Sequence, residues 1–121
     1  MSTTNDTTNA IMDFLNLNGH VAWRNNTLGV FDPAKKIFRK GPRSARGTGD
    51  IICCLKHGLY LEVEIKTGKD RLSEFQKEHR AKILAVNGLH IIAKDFDHFR
   101  LQFESIVVPA INKHLSQTEH P

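Results

Sequence analysis

Apolar and polar residues alternate with a period of two over residues 59–66. Leu59, Leu61, Val63 and Ile65 point one way, and Tyr60, Glu62, Glu64 and Lys66 the other. This predicts a strand with one apolar face. The preceding segment, 48–55, is almost continuously apolar through Ile51, Ile52, Cys53, Cys54 and Leu55. It reads as a strand buried on both faces, with Asp50 at its head. Lys56-His57-Gly58 is short and contains a glycine, so the two strands read as a hairpin. Ile11, Phe14, Leu15 and Leu17 mark one side of an earlier helix, capped by Asp6 or Thr7 and stopped by Asn18-Gly19. Val21 and Trp23 then alternate against Ala22 and Arg24 in a strand over 20–25, with Trp23 read as core. Ile37 and Phe38 suggest a short strand after a turn at Asp32-Pro33.

Beyond the hairpin, Leu72, Phe75, His79, Ile83 and Val86 recur at helical spacing up to a stop at Asn87-Gly88. An apolar strand follows at 89–93. Phe96, Phe99 and Phe103 mark an amphipathic helix, and a further helical piece over 106–115 holds Pro109, which either kinks it or sits in its first turn. The order is αβββαβ with an added C-terminal helix. That is an α/β fold with a central mixed sheet flanked by helices. At 121 residues the chain reads as one domain, with residues 1–5 and 116–121 expected as flexible tails.

Composition narrows the partners. The net charge is +4 and the isoelectric point about 9.3, which favours a polyanion. The basic residues concentrate in Lys35, Lys36, Arg39, Lys40, Arg43 and Arg46, ahead of Asp50, with no acid among them. A run of this kind is either a solvated loop or a phosphate-binding surface. The two cysteines are adjacent in an apolar strand and point to opposite faces, so they read as small buried hydrophobes in a reducing compartment. No apolar run approaches the roughly 20 residues of a membrane span. No basic-then-apolar leader opens the chain, and cytoplasmic residence is expected. The seven histidines lack zinc-site spacing and read as structural or surface residues.

The candidate chemistry lies in residues 47–76. Residues at i and i+2 on one strand face are about 7 Å apart, and Asp50 can lie beside Glu64 across the hairpin. Two carboxylates with an amine two residues on suit a hard divalent cation and a polarised water. The bland alternatives are a turn aspartate and an exposed, charged strand face. Glu62 reads either as support for the pair or as a ligand to a second ion. Ser73-Glu74-Phe75-Gln76 fits a capping box, so Gln76 is either a cap or a site residue.

The order Gly47, Asp50, Glu64, Lys66, Gly68, Arg71, Leu72, Ser73, Gln76, preceded by Val21-Ala22-Trp23-Arg24-Asn25, resembles the PD-(D/E)XK nuclease superfamily. Within it, the chain is most similar to the virus-type replication-repair nuclease (VRR-NUC) domains. The likeness runs to about Asp95. It implies a restriction-endonuclease-like core and a metal-dependent DNA endonuclease, selective for branched, flap or junction DNA. In that reading Asp50, Glu64, Lys66 and Gln76 are catalytic. Mg²⁺ or Mn²⁺ is held by Asp50, Glu64 and the Ile65 carbonyl, with no small-molecule cofactor. Arg24, Lys40, Arg43, Arg46, Lys69 and Arg71 contact DNA, with Glu62 and Ser73 in support. An acid on the first helix, Asp6 or Asp13, would answer to one that many relatives carry near their start. The resemblance also allows a homodimer and, for a phage-encoded chain, the host cytoplasm. The alternatives are a Holliday-junction resolvase or restriction-type nuclease of the same superfamily, or a nucleic-acid-binding module without activity.

Overall fold

The computed structural model describes residues 3–25, 30–39 and 47–118. The chain is mixed α/β. Helix α1 (Thr4–Leu17) leads into β1 (Val21–Arg24), then β2 (Val30–Asp32), β3 (Ile37–Arg39), β4 (Ile51–Cys54) and β5 (Tyr60–Ile65). Helix α2 (Glu74–Ala85), β6 (Leu89–Ala93), α3 (Phe96–Gln102) and α4 (Val108–Thr118) complete it. Four strands form one sheet in the order β1-β4-β5-β6, and β2 and β3 form a separate antiparallel pair. The β1/β4 and β4/β5 pairs are antiparallel, whereas β5 and β6 run parallel because α2 carries the chain back across the sheet.

One face of the sheet holds the apolar core. Ile51, Cys53, Leu61, Val63 and Ile91 pack there with Ile11 and Leu15 of α1 and Phe99 of α3, all fully buried. Phe14 sets its ring edge-on to Phe96, Phe99 and Phe103 at centroid distances of 5.9, 5.8 and 5.2 Å, the arrangement that ring quadrupoles favour. The other face of β5 and β6 is polar and is covered by α2.

Several expectations change here. The helix starts earlier than Asp6 or Thr7: Thr3 is its N-cap, and Asp6 completes a capping box with it. Residues 4 and 5 are therefore helical, and at the other end α4 runs through Thr118. The burial of the hairpin strands is the reverse of the sequence reading. β4 buries Ile51 and Cys53 but leaves Cys54 exposed, while β5 is buried from Leu61 through Ile65 on both faces. The reason is coverage: α2 lies over β5 and β6 and stops short of β4. Trp23 is 47% exposed, because β1 lies farther out on that same uncovered side. Pro109 is the second residue of α4, in its first turn, the second of the two places expected for it. A π-helical turn, Phe103–Val107, joins α3 to α4, and Val108 N–H reaches back to the Phe103 carbonyl. A π-turn absorbs the hydrogen bond that a proline nitrogen cannot donate.

Candidate functional site

Asp50 stands immediately before β4, and Glu64 is the penultimate residue of β5. The register pairs Ile51 with Val63, which sets the two carboxyls side by side. Asp50 Oδ2 accepts the Ile65 N–H at 2.8 Å, and Asp50 O accepts the Asn25 N–H at 2.9 Å. The aspartate is thus anchored between β1 and β5 rather than left in a free turn. Gly47 makes this approach feasible. Its φ is +83°, and a Cβ there would lie 2.2 Å from the Phe75 carbonyl oxygen, so the backbone before Asp50 lies directly against the start of α2.

Glu64 is 3% exposed. Burial, followed by the neighbouring Asp50 charge, pushes its pKa up to about 7, against an opposing pull from Lys66. Lys66 Nζ lies 3.6 Å from Glu64 Oε1. Gln76 holds both of its predicted positions at once. Its Oε1 accepts the Ser73 N–H at 2.7 Å, its own N–H donates to Ser73 Oγ at 3.2 Å, and its Nε2 donates to Glu64 Oε1 at 2.9 Å. The capping box therefore aims the free end of the amide at the carboxylate.

Glu62 is fully buried. Its carboxylate accepts the Gly49 N–H at 2.7 Å and the Tyr60 hydroxyl at 2.8 Å, and His79 Nε2 lies 2.8 Å from Oε2. Its oxygens are occupied by protein donors, which makes it a clasp between β4, β5 and α2. Burial and this bond to Glu62 raise the Tyr60 pKa. His90, paired with Glu62 across β5 and β6, is buried. Desolvation pushes its pKa down to about 4, with Glu62 opposing and Arg80 and His79 assisting. His79 and His90 are thus part of a buried polar layer beneath α2. For these two the structural alternative of the sequence reading holds, and their shared partner Glu62 emerges only when the helix docks. Burial also pushes the Cys53 thiol up to about 12, and both cysteines are free.

The remaining candidate residues fall into separate groups. Arg24 Nη2 is held by Asn5 Oδ1 and, at 2.9 Å, by Asn9 Oδ1. With Thr4, Asn5, Thr8, Asn25 and Asp50 it lines a cavity of about 330 Å³. Asn5 and Asn9 lie one turn apart on α1, a polar pair that the sequence reading did not single out. Asp6 is the capping-box partner of Thr3, and Asp13 is an exposed charge on α1. Lys69 and Arg71 are exposed in the turn after β5, and Arg71 borders a second cavity beside Lys66. Lys40, Arg43 and Arg46 lie outside the described residues.

Asp50 and Glu64 offer hard oxygen donors, and a buried carboxyl raised by its neighbour is a place where positive charge is favoured. The pair fits a divalent cation that retains several waters, as Mg²⁺ does. Among the described residues no three His, Cys, Asp or Glu side chains converge as a metal cage, so such an ion would have two side-chain ligands. Among the described residues no helix is long and apolar enough to cross a membrane. No family model, curated protein or solved structure matches the chain.

Proposed function

We propose that the chain is a metal-dependent nuclease with a restriction-endonuclease-like core of the VRR-NUC kind. The observation that carries this reading is the Asp50–Glu64 pair, with Glu64 buried, Asp50 half-buried, and Lys66 and Gln76 both directed at Glu64. A solvated charged face would not bury Glu64 or tie Asp50 and Gln76 to β5 from other elements.

Asp50, Glu64 and the Ile65 main-chain carbonyl would hold Mg²⁺ or Mn²⁺. When bound, the ion would lower the pKa of a water and offset charge on a phosphate. The residues themselves divide the remaining work. Gln76 fixes the Glu64 carboxylate in orientation. Lys66 places a cation where a pentavalent phosphate gathers charge, or orients the attacking water. Arg24, set between Asn5 and Asn9, presents a guanidinium to the cavity that Asp50 borders, which suits a substrate phosphate. The resemblance extends the reading to branched, flapped or junction DNA and to action as a homodimer. The exposed Leu101, Ile106 and Val108 of the C-terminal helical rod are apolar surface for such an interface.

The test is cleavage of labelled single strand, duplex, flap and four-way junction with Mg²⁺, Mn²⁺ or EDTA. Products that require the ion and vanish in Asp50→Ala and Glu64→Ala support the reading, and the preferred substrate separates a junction resolvase from a flap nuclease. Salt-sensitive binding without products under either ion would instead favour an inactive nucleic-acid-binding module.

A further inference from the structure

A second cavity, of about 310 Å³, opens beside Lys66. Lys66, Arg71, Lys77, Lys94 and His98 line it, with Asp70 the acid among the lining residues. These side chains come from five places: the end of β5, the turn after it, α2, the end of β6 and α3. They are far apart in sequence, and the fold collects them. Two of the cations have acidic neighbours, Lys66 with Glu64 at 3.6 Å and Lys77 with Glu74 at 3.4 Å. Among the described residues Arg71 and Lys94 have no acidic partner within ion-pair distance. Leu72 and Ile92 supply an apolar wall. His98 Nδ1 accepts the Lys94 N–H at 3.1 Å, and this fixes the backbone from which Lys94 projects.

We infer that this cavity is a phosphate-binding subsite for a nucleic-acid strand, beside the bond being cut. The chemistry selects the ligand. Four lining cations, two of them already beside Glu64 and Glu74, outnumber the one lining acid and favour an anion, and an arginine fork among lysines suits phosphate oxygens. The volume lies at the small end of sites that take one compact group. Lys66 borders both this cavity and the carboxylate pair, so a phosphate held here belongs to the strand that lies across Asp50 and Glu64. The position relative to the cut rests on the nuclease reading, whereas the anion site itself does not. The phosphate comes from the interior of a strand or from a 5′ end, and both present the same oxygens.

The test is fluorescence anisotropy of a labelled oligonucleotide in EDTA across a salt series. The full-length wild type is compared with Lys77→Ala/Lys94→Ala and with Lys113→Ala, an exposed lysine on α4. Each phosphate contact to a single strand contributes about 0.7 to the slope of log K against log salt. The double variant is expected to flatten that slope by about 0.7, the share of the one phosphate held in the cavity, with Lys113→Ala unchanged. Circular verification of the source uses oligonucleotides with a 5′-phosphate, with a 5′-hydroxyl, and closed into a ring. A loss confined to the 5′-phosphate substrate identifies a terminal phosphate, and an equal loss on all three identifies a backbone phosphate. An unchanged slope in the double variant, or an equal change in Lys113→Ala, overturns the subsite. Absence of metal-dependent cleavage by wild type overturns the nuclease reading instead, and leaves a slope change as evidence for the anion site alone.

Discussion

Glu64 carries the sharpest residue-scale expectations. Its folded pKa is raised to about 7 from an ordinary 4.5, so the folded state favours the protonated carboxyl. The stability this gives is fully present below pH 4.5 and is lost as pH rises through about 7. His90 runs the other way, because its pKa is depressed, so the wild-type melt alone would mix the two. The difference in melting temperature between metal-free wild type and Glu64→Gln removes His90 from the comparison. That difference is expected to shrink in wild type's disfavour from pH 4.5 to pH 7.5 by differential scanning fluorimetry. Mg²⁺ should correspondingly raise the wild-type melting temperature more at pH 8 than at pH 5, since the ligand must lose its proton. Gln76 allows its two roles to be separated. Gln76→Glu keeps an acceptor for the Ser73 N–H but loses the donor to Glu64. Cleavage should fall about 10- to 100-fold while the melting temperature at neutral pH holds near that of wild type. Lys66→Ala should cost about 10²- to 10³-fold in turnover, and KM measured alongside shows whether binding is spared.

At the scale of elements, the buried polar layer under α2 decides how the site is held. Glu62 joins the Gly49 N–H, Tyr60 and His79, so it ties the Asp50 strand to the helix that carries Gln76. Glu62→Ala would leave these donors unpaired and is expected to destabilise by about 1–3 kcal/mol per stranded group, readable by urea unfolding. Glu62→Gln should cost less and leave metal-dependent products. Gln76 and the hairpin were legible in the sequence because capping boxes and strand alternation are local patterns. The burial of β5 on both faces was not. Residues 59–66 alternate as a half-exposed strand does, and only the docking of α2 turns their polar side into an interior. The same docking leaves Trp23 and Cys54 uncovered, against the expectation that apolar residues mark the core.

Across the whole molecule, the carboxylate pair sits between two cavities, one bordered by Arg24 and Asp50 and the other by Lys66 and Arg71. On the proposed function, this layout would give a nucleic-acid strand cations on both sides of the acidic pair. Binding should therefore weaken steeply with salt, and a salt titration of wild type checks it independently of chemistry. For the homodimer proposal, light scattering should report twice the mass of one chain, and Leu101→Asp/Val108→Asp should return it to the monomer.

The sequence by itself determined the four strands of the main sheet, the hairpin, and the placing of Asp50 beside Glu64 and Lys66, but not the strand Val30–Asp32, which it read as turn chemistry. Those follow from periodicity, turn chemistry and the fixed geometry of neighbouring strands, all of which act over a few residues. Tertiary structure decided which faces were covered, that Glu62 clasps Gly49, Tyr60 and His79 together, and that Lys77 and Lys94 join Lys66 around one cavity. Burial and long-range electrostatics depend on which distant element comes to lie alongside, and no local pattern in this chain encodes the position of α2 over β5 and β6.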